Sequence, residues 1–160
     1  MLADLYPELN YYDDSLTRVT HSVSITPFTT TRRVEFGDTD MAGIMHFANF
    51  FRFMEAAETD FLISRGLNVS WQEAAGKYGF PRVSVSCDYK KPARFAEILT
   101  IAVSLEKLGK KSVSYRFDFT NARGESLAIG RITAVFCCTT DAKKLESIEI
   151  PQNIRAKLEG

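Results

Sequence analysis

One helix constrains most of what this chain can fold into. From Phe47 to Arg65 the apolar side chains recur at helical spacing, and Phe47, Phe50, Phe51, Met54, Phe61 and Leu62 share one face. Gly66 closes the segment at the position where a left-handed residue ends helices. Arg52, Thr59 and Asp60 fall opposite. Glu58 falls inside the apolar arc and Glu55 at its edge, and a buried acid needs a partner. A stripe this rich in phenylalanine calls for a broad apolar surface to cover it.

The rest of the chain supplies that surface as strands. Thr30 to Phe36 is rich in β-branched residues and reads as a first strand. Ser70-Trp71-Gln72-Glu73 matches a capping box and predicts a second, short helix that stops near Gly76 to Gly79. Val83 to Tyr89 alternates apolar and polar, and Lys90 to Arg94 breaks the run. Ile98 to Leu108 is a strand, Gly109-Lys110-Lys111 a turn. Ser112 to Thr120 puts Val113, Tyr115, Phe117 and Phe119 on one face. Asn121 to Gly124 is a hairpin turn, and Leu127 to Thr139 reads as the longest strand. Pro151 to Leu158 reads as a short terminal helix. One long helix followed by consecutive antiparallel strands gives an α+β class: a single domain over residues 30–160, with a curved antiparallel sheet around one central helix. Residues 1–29 lack periodicity and read as an N-terminal extension, either a flexible arm or a segment packing on a neighbouring subunit.

Just before the helix lies Val34-Glu35-Phe36-Gly37-Asp38-Thr39-Asp40-Met41-Ala42-Gly43-Ile44-Met45-His46. A helix start collects unpaired N–H groups and the positive end of a dipole. Carboxylates beside such donors suit attack on an activated acyl group. Phe36-Gly37-Asp38-Thr39-Asp40, Ala42-Gly43-Ile44, Asn49-Phe50-Phe51-Arg52 and Glu55-Ala56 closely resemble the signature of hotdog-fold acyl-CoA thioesterases of the 4-hydroxybenzoyl-CoA type. The resemblance extends from about Thr31 to the C-terminus.

The resemblance implies a role for each residue at a matching position. Asp40 takes the place of the catalytic carboxylate, as nucleophile toward the thioester or as base toward water. Asp38 braces the loop by accepting backbone N–H bonds. Gly43 permits a backbone conformation that a side chain would block. The Phe47 N–H is the expected oxyanion donor. His46 is a pocket-lining residue or a general acid for the departing thiolate, and Glu55 orients loop groups or water. Lys110, Lys111 and Ser112 sit where the family contacts the CoA nucleotide and phosphates, and Arg131 is a further candidate at the ligand or an interface.

Composition narrows the partners. A chain of 160 residues with 45% hydrophobic content can bury a core without metal or disulfides. A net charge of +0 argues against nucleic acid, and no apolar run is long enough to span a bilayer. Cys87, Cys137 and Cys138 read as reduced thiols of a cytoplasmic protein, with no zinc spacing to either histidine. No cofactor is expected, CoA being part of the acyl-CoA substrate. An exposed sheet edge needs cover, so at least a homodimer is expected, and the family suggests a dimer of dimers. Two other readings stay open. One is a hotdog hydratase or dehydratase using His46 with Glu55 or Glu58; the other is a non-catalytic acyl-CoA-binding regulatory module.

Overall fold

The computed structural model describes residues 27–140 and 144–160. Most of the expected extension over residues 1–29, with His21, lies outside the described residues. The elements are β1 (Phe28–Arg33), α1 (Phe47–Ser64), β2 (Ser70–Glu73), β3 (Gly76–Gly79), β4 (Arg82–Tyr89), β5 (Ile98–Leu108), β6 (Ser112–Thr120), β7 (Ser126–Val135), β8 (Cys137–Thr139), β9 (Leu145–Ser147) and α2 (Gln152–Glu159). Five strands form one antiparallel sheet in the order β1-β5-β6-β7-β4; four short ones form a second in the order β2-β3-β8-β9. This is the α+β class expected from the sequence, with α1 as its one long helix.

Burial explains how helix and sheet meet. Val113, Tyr115, Phe117 and Phe119 alternate along β6 and are wholly buried. Phe50 meets Phe119 edge-on with ring centroids 5.3 Å apart, and Phe61 meets Tyr115 at 5.7 Å. Where Met54 crosses β7 the strand carries Gly130, and a Cβ there would fall 1.9 Å from the Met54 sulfur. Gly66 has φ +64 and ends α1 as its sequence position implied.

Four expectations are corrected. Ser70 to Gly79 is a β-hairpin rather than a helix, because Trp71 pairs with Tyr78 across it and their rings stack at 5.8 Å. Glu73, the would-be capping acid, instead accepts the Trp71 indole N–H at 2.9 Å. The long strand from Leu127 to Thr139 is two strands. At Phe136 the chain leaves the large sheet, buries that ring against Phe80, Tyr78 and Trp71, and enters the small one. The first strand ends at Arg33 rather than Phe36, since Val34 turns inward to bond Glu97 and Phe36 enters a short 3-10 turn. On α1, Phe47 is 58% exposed and leaves the apolar face to Phe50, Phe53, Met54, Ala57, Phe61 and Leu62.

Candidate active site

The segment before α1 folds on itself as a miniature ladder. Asp40 N–H donates to the Ile44 carbonyl at 2.9 Å, Thr39 bridges Met45, and His46 N–H donates to the Asp38 carbonyl at 2.8 Å. Its turn is closed by Gly43 N–H donating to the Asp40 carbonyl at 3.0 Å, with Gly43 at φ +72. Only glycine takes that conformation without strain, and nothing lies within 4 Å of where its Cβ would be. The need is therefore conformational rather than steric.

The two aspartates have different tasks. Asp38 accepts the Glu35 N–H at 2.9 Å, and its carbonyl also holds the Asn49 amide at 2.9 Å. It braces the loop, as its position implied. Asp40 is half-buried and accepts the Ala42 N–H through Oδ1 at 2.8 Å. That bond fixes the carboxylate by one oxygen.

The ladder delivers the chain straight into α1. His46 is the residue that caps the helix: its Nδ1 accepts the Ala48 N–H at 3.2 Å, and its carbonyl accepts the Asn49 N–H at 2.9 Å. The sequence reading missed this role, since histidine is not among the favoured capping residues. With Nδ1 accepting, the proton of the neutral ring belongs on Nε2. The Phe47 N–H, on the first helical residue, has no acceptor among the described residues. Tyr89 of β4 donates its hydroxyl to the Phe47 carbonyl at 3.2 Å and packs on Phe50 at 5.2 Å. Burial pushes the Tyr89 phenol up to about 12, which keeps it a donor.

Asp40, Gly43, His46 and Phe47 are thus brought together. The other candidates are not. Glu55 lies two turns down α1, exposed, and pairs with Arg82 at 3.1 Å. Lys110, Lys111 and Ser112 lie at the β5–β6 turn, whereas the Asp40 loop meets the segment leading into β5, through Met45 and the Ala93 carbonyl. An eleven-residue β5 separates them, roughly 30 Å. Lys111 donates to the Ser147 carbonyl at 3.0 Å, and Arg155 of α2 holds the Gly109 carbonyl at 2.6 Å. Arg131 is engaged with Glu106 at 3.1 Å and Asp88 at 3.7 Å. Within one protomer, then, the carboxylate and the expected phosphate contacts stand at opposite ends of the sheet.

A family model described as the Thioesterase-like superfamily matches residues 34–158. The chain belongs to that superfamily. This thioesterase is 30% identical over 126 residues to the 4-hydroxybenzoyl-CoA thioesterase of Pseudomonas sp. strain CBS-3, covering 75% of this chain and 89% of the relative. It is 30% identical over 132 residues to the 1,4-dihydroxy-2-naphthoyl-CoA hydrolase of Nostoc punctiforme, covering 82% and 86%. Among solved structures, a gentisyl-coenzyme A thioesterase superimposes with a TM-score of 0.69 at 28% identity, covering 82% of this chain and 99% of the other. By class, the enzyme is an acyl-CoA thioester hydrolase.

No helix among the described residues is long and apolar enough to cross a membrane, and no group of three or more His, Cys, Asp or Glu could hold a metal. Burial raises the thiols of Cys87 and Cys137, the latter to about 11, so neither is poised as a nucleophile.

Proposed function

We propose that this thioesterase hydrolyses a hydroxyaryl-CoA to the free acid and CoA, with Asp40 as the reacting carboxylate and the Phe47 N–H as the oxyanion donor. The observation that carries the reading is the miniature ladder. It fixes Asp40 by one oxygen and leads, within a few residues, to a helix N-terminus whose first N–H is open. In the general-base form, Asp40 takes a proton from water as the water oxygen bonds to the thioester carbon. The carbonyl oxygen becomes an oxyanion held by the Phe47 N–H. Collapse breaks the C–S bond, and the CoA thiolate leaves and is protonated. In the nucleophilic form, Asp40 displaces the thiolate as a mixed anhydride, which water then cleaves. Neither form changes an oxidation state, so no redox cofactor is required.

The hydroxyaryl class rests on relatives whose acyl groups are 4-hydroxybenzoyl, 1,4-dihydroxy-2-naphthoyl and gentisyl. We place the working unit as a homodimer built on β4. Among the described residues that strand pairs only with β7, and its outer edge is open there with Val83, Val85 and Tyr89 exposed. Two copies pairing antiparallel through a two-fold would cover both edges at once. The same pairing would bring one protomer's Lys110-Lys111-Ser112 turn to the Asp40 end of the other, where CoA phosphates need cations. A further pairing of dimers would follow the family. Three cysteines free of disulfides suit a reducing cytoplasm.

The test is thiol release by the purified protein from a panel of hydroxyaryl, aryl and aliphatic acyl-CoA esters. Turnover led by the hydroxyaryl esters supports the reading. Tight binding with no thiol released would favour the regulatory module, and water addition to enoyl esters would favour the hydratase.

A further inference from the structure

The apolar core contains a polar group that the fold does not need. Glu58, on the fourth turn of α1, is 1% exposed and is the single charged residue buried among those described. Its Oε2 accepts a hydrogen bond from Arg82 Nε at 2.8 Å, and Arg82 Nη2 lies 2.8 Å from the same oxygen as an ion pair. Arg82 Nη1 meets Glu55 Oε1 at 3.1 Å. The Tyr115 hydroxyl, buried with no hydrogen-bond partner among the described residues, lies within electrostatic reach of Glu58 and Arg82. Apolar residues of similar volume usually hold a core at least as well as such a pair. Stability alone therefore does not account for it.

The position of Arg82 is unusual in a second way. A bulge between Arg82 and Ser84 shifts the β4–β7 register. Bulges re-aim side chains, and this one lets Arg82 reach α1. The Arg82 side chain remains 25% exposed, and that of Glu55 60%. The Arg82 Nε–H is hydrogen-bonded to Glu58 while Nη1 and Nη2 meet the two glutamates as ion pairs, so the terminal N–H groups keep donor capacity for something else.

The direction of that exposure follows from topology. β4 runs antiparallel to α1, with Tyr89 beside Phe47 and Phe50, and Arg82 beside Glu55 and Glu58. A two-fold perpendicular to the sheet keeps both helices on one side. If it passes at Ser86, Val85 of one copy pairs with Cys87 of the other, and because the bulge takes up one residue, Arg82 of one copy stands opposite Tyr89 of the other, about 5 Å away across the new ladder. Tyr89 is the residue that touches Phe47, the expected oxyanion donor.

We infer that Arg82 is a specificity-determining residue supplied in trans: with Glu55 it lines the distal end of the partner's acyl site and binds a hydroxyl group on the acyl ring. The inference rests on the hydroxyaryl thioesterase reading above. A hydroxyl both accepts and donates, so it takes an N–H from Arg82 and gives its proton to Glu55. Two carboxylates and one guanidinium leave the cluster with a net negative charge, which disfavours an acyl group ending in a carboxylate. Buried Glu58 is a positioning residue, holding the guanidinium by the Nε–H bond and the Nη2 ion pair so that its terminal donors point to the edge.

The experiment compares kcat/KM for 4-hydroxybenzoyl-CoA and benzoyl-CoA. The wild-type protein is expected to prefer the hydroxylated ester by about 10- to 100-fold, the scale of one hydrogen bond to a charged group. Arg82→Met is expected to bring the ratio within about threefold of one. Because that change strands Glu58, the same ratio is measured on Arg82→Met/Glu58→Leu, where both charges leave together. Mixed dimers of Asp40→Asn and Arg82→Met chains, isolated by two tags, then test the trans placement. They hold one site with Asp40 and the partner's Arg82 both intact, so the wild-type preference should return. A ratio that stays near one in the mixed dimer overturns the trans placement. A wild type without preference, or variants that keep it, overturns the role of Arg82 while thiol release stands. Release from neither ester overturns the thioesterase reading itself.

Discussion

The approach to α1 and the middle of the helix treat a carboxylate in opposite ways. Near its N-terminus, Asp40 sits half-buried on a short ladder, fixed by a backbone N–H and by no cation among the described residues. In its fourth turn, Glu58 lies in the core under a guanidinium that takes up its charge. Burial raises the Glu58 pKa against the pull of Arg82. A reacting carboxylate must stay ionised, reach solvent and keep an oxygen open, which the loop allows and the core does not. A carboxylate that holds another residue still is better placed in the core. The contrast is the one the proposed roles require, with chemistry in the loop and positioning in the helix interior.

The sharpest way to break this contrast on the core side is Arg82→Met. It leaves a buried carboxylate without its cation and should cost about 3–5 kcal/mol in urea denaturation. A loss under 1 kcal/mol would mean that the pair is solvated and the core side misread. On the loop side, Gly43→Ala asks whether the turn is conformational in origin. With open space around the Cβ and φ at +72, the cost should be the backbone term alone, about 1–2 kcal/mol, with activity falling as the ladder loosens. Unchanged stability and turnover would show that the turn tolerates another conformation.

His46→Ala removes the helix cap and should cost about 1 kcal/mol, while His46→Asn, a favoured capping residue, should recover most of it. Asparagine no better than alanine would separate the histidine from capping. The smallest effect is the pH dependence of stability. Glu58 has its pKa raised in the fold from an ordinary 4.5. As pH rises from that value to the raised one, the unfolded chain gives up this proton before the native state does. Native protein then binds more protons, and the Glu58 contribution to stability falls with rising pH. Glu58→Gln should flatten that decline in urea midpoints measured from about pH 4 to about pH 8. A parallel curve would place the titration elsewhere.

Local pattern made much of this molecule legible. The spacing of Phe50, Met54, Phe61 and Leu62 implied α1, and the alternation from Val113 to Phe119 implied a strand facing it. Gly43 and the Asp-x-Asp segment marked the loop, because a left-handed turn and a braced carboxylate are local properties. What stayed hidden depends on residues far apart in sequence. Trp71 and Tyr78 choose a hairpin over a helix because their rings meet each other and Phe136, 58 residues beyond Tyr78. Phe136 interrupts a strand that no local signal breaks. Glu58 finds Arg82 24 residues later and only by way of a bulge. The His46 cap was local but unfamiliar, since imidazole rarely fills that place. The distance from Asp40 to Lys110-Lys111-Ser112 follows from strand register, which motif matching does not carry.

The division between the loop before α1 and the helix interior is tested most directly on Asp40→Asn, by measuring thiol release from 4-hydroxybenzoyl-CoA alongside the thermal melt and the equilibrium binding of the same ester. The account predicts a fall in kcat of about 10²- to 10⁴-fold with binding retained and the melt unmoved. A variant that turns over within about tenfold of wild type would contradict it.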